Sequence, residues 1–207
     1  MATLLEIHPV TPQARLIDQA VRVLRAGGVI AYPTDTTYAL GAAIGEKSAL
    51  DRICRIRRID QRHDFTLMCR DLSQTGQFAN YTTPGYRAIK AHTPGPYTFL
   101  VRATREVPRR LQHPKKKTIG LRVPDHVIAQ ALLEAHGEPL LTTTLRLPGD
   151  EFALNDPLEI KERLDREIEM ILDGGVGSLD LTSVVDLTDD EPVVRREGMG
   201  DVSAFLA

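Results

Sequence analysis

Thr118-Ile119-Gly120-Leu121-Arg122-Val123-Pro124-Asp125 sets the fold class. Its β-branched and apolar residues predict a strand over 118–123, which Pro124 stops because it can neither donate to a ladder nor extend one. Asp125 then opens a helix through Val127, Ala131, Leu132 and Leu133, and Gly137 closes it. The same alternation continues on both sides. Upstream, Tyr97–Arg102 is aromatic and β-branched, hence a strand. Downstream, Leu140–Thr144 is a strand, and Asn155-Asp156-Pro157 caps a helix expected to run to Leu172, with Gly174-Gly175 ending it. Ser183–Leu187 and Val193–Arg195 are strands flanking the acidic turn Asp189-Asp190-Glu191.

Near the N-terminus, Thr11-Pro12 is expected to cap a helix over Ala14–Ala26, in which Leu16, Ala20, Val21 and Leu24 recur at helical spacing. Gly27-Gly28 ends it, and Val29–Tyr32 is a buried strand closed by Pro33. Ser48, three residues before Asp51, is the expected N-cap of a helix carrying Leu50, Ile53, Cys54 and Arg57. Strands alternating with helices end to end predict an α/β fold: one twisted, mixed sheet flanked by helices in a single domain over residues 12–200. No repeat of 20–50 residues is visible.

Composition narrows the function. At 207 residues the chain is long enough for a core without staples. Two cysteines, Cys54 and Cys69, exclude a disulfide framework and a four-cysteine zinc site. No apolar run approaches the ~18 residues of a membrane span, and residues 1–12 lack a secretory pattern, so a cytoplasmic protein is expected. The net charge of −2 hides an asymmetry: residues 150–207 carry 16 acidic and 5 basic side chains, leaving 1–149 strongly basic. A basic body suits anionic ligands, or is one of two solvated faces that offset each other.

The phosphate loop Gly-x-x-x-x-Gly-Lys-Ser/Thr, Gly-x-Gly-x-x-Gly and His-Glu-x-x-His are all missing, and the histidines show no metal-ligand spacing. Four other segments carry candidate chemistry. Pro33-Thr34-Asp35-Thr36-Thr37-Tyr38 crowds hydroxyls and a carboxylate after a buried strand, either to hold a small polar ligand or to cap a turn. Arg52 to Arg58, with Arg62 and His63, is a basic stretch. If the helix ends near Arg55, then Arg55 and Arg57 point the same way, as paired guanidiniums for phosphate. Arg109-Arg110 and Lys115-Lys116-Lys117 form a cluster suited to a nucleic-acid backbone, without interleaved aromatics, so a duplex fits better than a single strand. Thr142, Thr144 and Arg146 alternate along one strand, as Thr118 and Arg122 do along another, each set sharing a face.

In this order these segments resemble the YrdC-like family of threonylcarbamoyl-adenylate synthases. Residues 33–41 resemble its Pro-Thr-Glu/Asp-Thr-x-Tyr-Gly-Leu-Gly motif, and His92-Thr93-Pro94-Gly95-Pro96-Tyr97-Thr98 its Trp-Pro-Gly-Pro-Leu-Thr. Residues 118–126 resemble its Thr-Val-Gly-Val-Arg-Val-Pro-Asp-His. Thr182-Ser183-Val184-Val185-Asp186-Leu187, with Arg196-Glu197-Gly198, resembles its ending. Two departures, Arg55-x-Arg57 where the family has Lys-x-Arg and Thr144-Leu145-Arg146 where it has Ser-x-Asn, are similar to those of the YciO subgroup, as is Phe65-Thr66-Leu67-Met68-Cys69-Arg70-Asp71.

The resemblance implies a basic concave surface and condensation of L-threonine, bicarbonate and ATP into threonylcarbamoyl-AMP and pyrophosphate, for the adenosine-37 modification of tRNA. Mg²⁺ would enter with ATP, with no tightly bound metal. It implies Thr36, Thr118, Arg122 and Thr142 near threonine or phosphate, Arg55 and Arg57 on phosphate, and Thr66, Thr144, Arg146, Thr182 and Arg196 completing the nucleotide and substrate site. Arg58, Arg62, Arg109, Arg110 and Lys115–Lys117 are the expected contacts to double-stranded RNA or tRNA, on a monomer or weak dimer. The alternatives are an RNA-binding protein with little synthase activity, or an enzyme processing a related carbamoyl adenylate.

Overall fold

The computed structural model describes residues 1–60 and 62–206. In chain order the elements are β1 (Thr3–Glu6), α1 (Ala14–Arg25), β2 (Ile30–Tyr32), β3 (Ala39–Ala43), α2 (Lys47–Arg57), β4 (Thr66–Met68), α3 (Leu72–Phe78), β5 (Ala79–Asn80), α4 (Thr83–His92), β6 (Tyr97–Ala103), β7 (Thr118–Arg122), α5 (Val127–His136), β8 (Leu140–Thr144), α6 (Pro157–Leu164), β9 (Met170–Asp173), β10 (Ser183–Asp186) and β11 (Val193–Arg196). A single 3₁₀ turn, Ser203–Phe205, follows. All strands join one sheet in the order β1-β9-β2-β3-β8-β4-β7-β6-β10-β11, with β5 paired to β6. The sheet is mixed, as expected: β9 lies parallel to β1 and β2, and β7 parallel to β4, whereas β3 and β8 run antiparallel to both their neighbours.

Alternation along the strands assigns the two faces. One face takes Ile30, Tyr32, Met68, Leu140, Met170 and Leu172. Against it pack the buried stripes of α1 (Ile17, Ala20, Val21, Leu24) and α5 (Ile128, Ala129, Leu132, Leu133). Each fully buried aliphatic side chain is worth about 1.5–3 kcal/mol, so these stripes hold α1 and α5 on the sheet. The other face takes Leu40, Leu67, Phe99, Leu121, Leu141 and Ile171, covered by α2 through Ala49, Leu50 and Ile53 and by α6 through Ile160 and Leu164. No helix among the described residues is long and apolar enough to cross a membrane.

The strand and the helix at 118–137 both form, but α5 starts at Val127 with His126 as its N-cap, two residues after the expected Asp125, and Gly137 ends it in the left-handed region at φ 85°. Three further expectations are corrected. The helix expected to reach Leu172 stops at Leu164, and Met170-Ile171-Leu172 is instead the interior strand between β1 and β2. A strand buried on both faces shows an unbroken apolar run, which merges with a helical pattern just before it. The N-caps also move. Gln13, not Thr11-Pro12, begins α1, and Glu46, two residues before Ser48, begins α2; neither makes a side-chain cap. Finally, of the two ends considered for α2 the earlier one, near Arg55, is excluded: α2 runs through Arg57, and Arg58 caps it in the left-handed region at φ 49°.

Candidate functional site

The face under α1 and α5 continues beyond the helices, and there its chemistry changes. On β8, Leu140 is buried beneath α5, while Thr142 and Thr144, in the same phase, line a cavity of about 520 Å³. On β4, Met68 is under the helices and Thr66 lines the cavity. β6 contributes Thr98 and Leu100, Val184 comes from β10, and Thr182 lies just before it. Gly120 keeps this floor open. A Cβ there would lie 2.5 Å from Thr66 Oγ1 and 3.1 Å from the Phe65 carbonyl oxygen, closer than atoms pack.

Arg122, at the end of β7, enters the cavity wall buried. Its guanidinium donates to Thr34 Oγ1 at 3.1 Å and Thr36 Oγ1 at 3.0 Å, and pairs with the Asp35 carboxylate. The turn between β2 and β3 is thus organised around this cation. Thr34 Oγ1 donates in turn to the Thr37 carbonyl at 2.7 Å, and Asp35 Oδ2 accepts the Asp125 N–H at 3.2 Å, tying the turn to the start of α5. Tyr38 fastens the turn to the segment after β9, donating to the Gly175 carbonyl at 2.8 Å. Tyr32 donates to Thr142 Oγ1 at 3.0 Å, and burial pushes its pKa up to about 12, so it stays a hydroxyl. Arg122 Nε is buried with no partner among the described residues.

The remaining cations are held differently. Arg57, in the last turn of α2, donates to the Arg146 carbonyl, and its Nε is buried without a partner among the described residues. Burial, with the positive charge of Arg146 adding to it, pulls Arg57 down to about 10. Arg196 donates to the Thr182 carbonyl and to Thr182 Oγ1, each at 2.9 Å, and Thr182 Oγ1 lies 3.0 Å from Thr98 Oγ1. Burial also lowers Arg196, followed by the charges of Arg146 and Arg122. Arg195 is paired with Asp186 at 2.7 Å. Arg57, Arg146, Arg196 and Lys116 all line the cavity, and none has a carboxylate partner among the described residues. A cavity of this size with unpaired guanidiniums and converging hydroxyls is built for a ligand carrying several negative charges.

Nine of the eleven expected substrate and nucleotide residues meet here: Thr36, Arg57, Thr66, Arg122, Thr142, Thr144, Arg146, Thr182 and Arg196. Arg55 and Thr118 are not among the lining residues. Because α2 continues past Arg55, positions 55 and 57 point to different sides of the helix. Arg55 pairs with Glu167 at 2.9 Å with its side chain exposed. Thr118 lies in the same phase as Arg122 but at the far end of β7, buried, with Oγ1 unpartnered among the described residues. Of the expected RNA contacts, Arg58, Arg62, Arg109 and Lys115–Lys117 are exposed, and Lys116 also lines the cavity. Arg110 is half-buried and donates to the Gly45 carbonyl. Sequence reasoning missed Thr98, Asp64 and Arg195 as lining residues. Thr98 alternates with Leu100 on β6, and that phase was the available signal.

The Sua5_yciO_yrdC family model, described as "Telomere recombination", matches residues 22–198. The YciO protein of Escherichia coli strain K12 is 55% identical over 206 residues, covering the whole of both chains, and the crystal structure of E. coli YciO superposes with a TM-score of 0.97. A threonylcarbamoyl-AMP synthase of Nitrosococcus oceani is 31% identical over 159 residues, 76% of this chain and 85% of its own. The crystal structure of P. abyssi Sua5 complexed with L-threonine matches with a TM-score of 0.87 at 25% identity, over 95% of this chain and 58% of that one. With a match this long, and with the motif segments at 33–41 and 118–126 building one wall of one cavity, the chain belongs to the Sua5/YciO/YrdC family.

Proposed function

We propose that this chain binds L-threonine and ATP in the cavity and carries out synthase-type chemistry, joining L-threonine, bicarbonate and ATP into threonylcarbamoyl-AMP and pyrophosphate. The observation that carries the reading is the division of cations within one cavity: Arg122, neutralised by Asp35, beside Arg57, Arg146 and Arg196, which have no carboxylate paired to them among the described residues. The first pair is fixed in place and suits a carboxylate or carbamate. The second group suits the phosphates, where guanidiniums preorganised in a partly dry site stabilise the charge of the departing pyrophosphate. Thr36, Thr66, Thr142, Thr144 and Thr182 supply hydroxyls that orient the two substrates. Arg55 takes no part, because it is engaged with Glu167 on another surface. The relatives support the reading: one is a synthase, and Sua5 has been crystallised with L-threonine.

In this scheme bicarbonate gives CO₂ and hydroxide, the hydroxide takes a proton from the threonine ammonium to become water, and the free amine attacks CO₂ and releases a second proton to solvent as the carbamate forms. The carbamate oxygen then attacks the α-phosphorus, and pyrophosphate leaves with the electrons of the broken P–O bond. Leu100, Val184 and the threonine methyl groups on the cavity wall would limit the access of water to the labile carbamate. Mg²⁺ would enter with ATP, bound through the substrate phosphates and keeping several waters, and there it would neutralise phosphate charge.

The test is pyrophosphate release and adduct formation by the purified protein with L-threonine, bicarbonate, ATP and Mg²⁺. The Arg55→Lys, Thr144→Ser, Arg146→Asn triple variant is run alongside. Adduct formed by the wild type bears the reading out; adduct formed by neither protein overturns it. Adduct formed by the triple variant alone leaves the fold competent and the natural chain redirected.

A second reading has its own observation. Lys116 belongs both to the cavity wall and to the exposed Lys115–Lys117 run, so a double-stranded RNA or tRNA backbone lying on that run would reach the cavity mouth. This partner, a cytoplasmic setting and a monomer or weak dimer complete the proposal. RNA affinity falling steeply with salt supports the second reading, and a flat response removes it.

A further inference from the structure

The cavity is lined by six cationic side chains, Arg57, Lys116, Arg122, Arg146, Arg195 and Arg196, and by one acidic side chain, Asp64. That lone carboxylate is unusual in a second way: Asp64 Oδ1 is buried and has no hydrogen-bond partner among the described residues. A buried carboxylate oxygen stripped of water and given no donor costs more than almost any other polar group, so a donor is owed to it. The neighbouring cations do not supply it. Arg122 is committed to Asp35 and Arg195 to Asp186, while Arg57 and Arg196 donate to backbone carbonyls.

Asp64 is also held firmly. It lies two residues before Thr66, in the phase that aims Thr66 into the cavity. Between them Phe65 is buried in the core, and its carbonyl accepts the Gly120 N–H at 2.8 Å. On the other side the chain is fixed by the His63 N–H donating to the Asp60 carbonyl at 3.0 Å and the Arg62 N–H to Asp60 Oδ1 at 2.8 Å. The ring of His63 packs edge-on against Phe65 at 5.4 Å on the same cavity wall. Burial, then the charge of Arg57, lowers the His63 pKa, while Asp64 and Asp60 pull it up.

We propose that Asp64 is the ammonium-binding residue of the cavity: its unpartnered oxygen accepts from the α-ammonium group of an amino-acid substrate, and so selects an amino acid over the corresponding hydroxy acid. The inference rests on the reading that the cavity takes L-threonine, and it adds the residue that reads the cationic end. Asp64 positions the nitrogen that must attack CO₂, while the unpartnered Nε–H of Arg122 is left for the negative end.

The test is calorimetric binding of L-threonine and of pyrophosphate to the wild type and to Asp64→Asn. Losing a charged acceptor weakens L-threonine binding by about 10- to 100-fold. Pyrophosphate, which meets only cations, binds Asp64→Asn as tightly as wild type or more tightly, because a negative charge has left its surroundings. Equal weakening of both ligands shows a structural role and overturns the inference, as does L-threonine affinity indifferent to the substitution. If the wild type binds pyrophosphate but not L-threonine, the functional reading falls and this inference with it. Should Asp64→Asn not fold, the wild type alone decides: preference for L-threonine over 2,3-dihydroxybutyrate, its hydroxy acid, by about 10-fold or more supports the assignment, and equal affinity overturns it.

Discussion

Substituting Asp35 by Asn removes one charge from a pair whose two side chains are 8% and 9% exposed. Asn is the same shape, so packing is kept, but its single carbonyl oxygen can serve either Arg122 or the Asp125 N–H, and its NH₂ then faces a donor. Arg122 is left as a buried cation supported only by Thr34 and Thr36. Breaking a buried pair by removing one partner costs about 3–5 kcal/mol, against about 0–1 kcal/mol for an exposed pair. In a chain of this size each kcal/mol moves the Tm by about 2–4 °C, so Asp35→Asn is expected to melt roughly 6–20 °C lower. Urea unfolding of Asp35→Asn, Arg122→Met and the double variant closes a cycle. The double variant is expected to lose less than the two single losses added together, because removing both charges leaves nothing buried and unpaired. A loss below about 1 kcal/mol for Asp35→Asn, or additive losses in the cycle, would refute the argument that burial makes this pair dominant.

Three further outcomes are expected. Gly120→Ala places a Cβ 2.5 Å from Thr66 Oγ1 and 3.1 Å from a backbone oxygen, so it should destabilise by about 1–3 kcal/mol in urea and weaken L-threonine binding by displacing Thr66; an unchanged midpoint sinks this. His136 is buried with both ring nitrogens unpartnered among the described residues, and burial lowers its pKa, with Glu138 pulling up and Arg25 down. The unfolded chain therefore binds more protons than the folded one below about pH 6.5, and stability falls as pH drops through that range. His63 and His126 are lowered in the same way, so His136→Leu should narrow, not abolish, the stability gap between pH 7.5 and about pH 5; an unchanged gap refutes the assignment. Arg55→Ala should cost less than about 1 kcal/mol and leave ATP affinity intact, whereas Arg57→Ala should weaken ATP binding about tenfold or more; equal effects would return Arg55 to the site.

The parts of the fold that were legible carry their signals locally. β7, Pro124, α5 and Gly137 each announce themselves within a few residues, and so do β2 before Pro33 and the β10–β11 hairpin around its acidic turn. What was missed needs the rest of the chain to exist. β4 is three residues long and is a strand only because β7 and β8 flank it. β3, Ala39-Leu40-Gly41-Ala42-Ala43, is poor in β-formers and is held between β2 and β8. The end of α2 stayed open between Arg55 and Arg57 because Arg58 reaches the left-handed region without being glycine, which no composition rule flags. That shift of one half-turn separates Arg55 from Arg57 and sends only one of them to the cavity.

The site shows the same boundary between local and distant information. The threonines were readable because strand phase alone puts Thr142 with Thr144. Asp64 and Arg195 were not, because nothing near them in sequence says what they face. The structure supplies the missing link: the cavity is the uncovered remainder of a face that α1 and α5 otherwise seal. Along β8 the phase never changes from Leu140 to Thr142 to Thr144; only the cover does, and the side chains turn from apolar to hydroxyl at the point where the helix ends. The cations then have a physical reason to stay. With no carboxylate paired to them among the described residues, Arg57 and Arg196 each feel Arg146 as a repulsion, a cost the sheet can bear because its apolar half is so well buried. An anion entering the cavity removes that repulsion, so part of its binding strength is already stored in the unliganded fold.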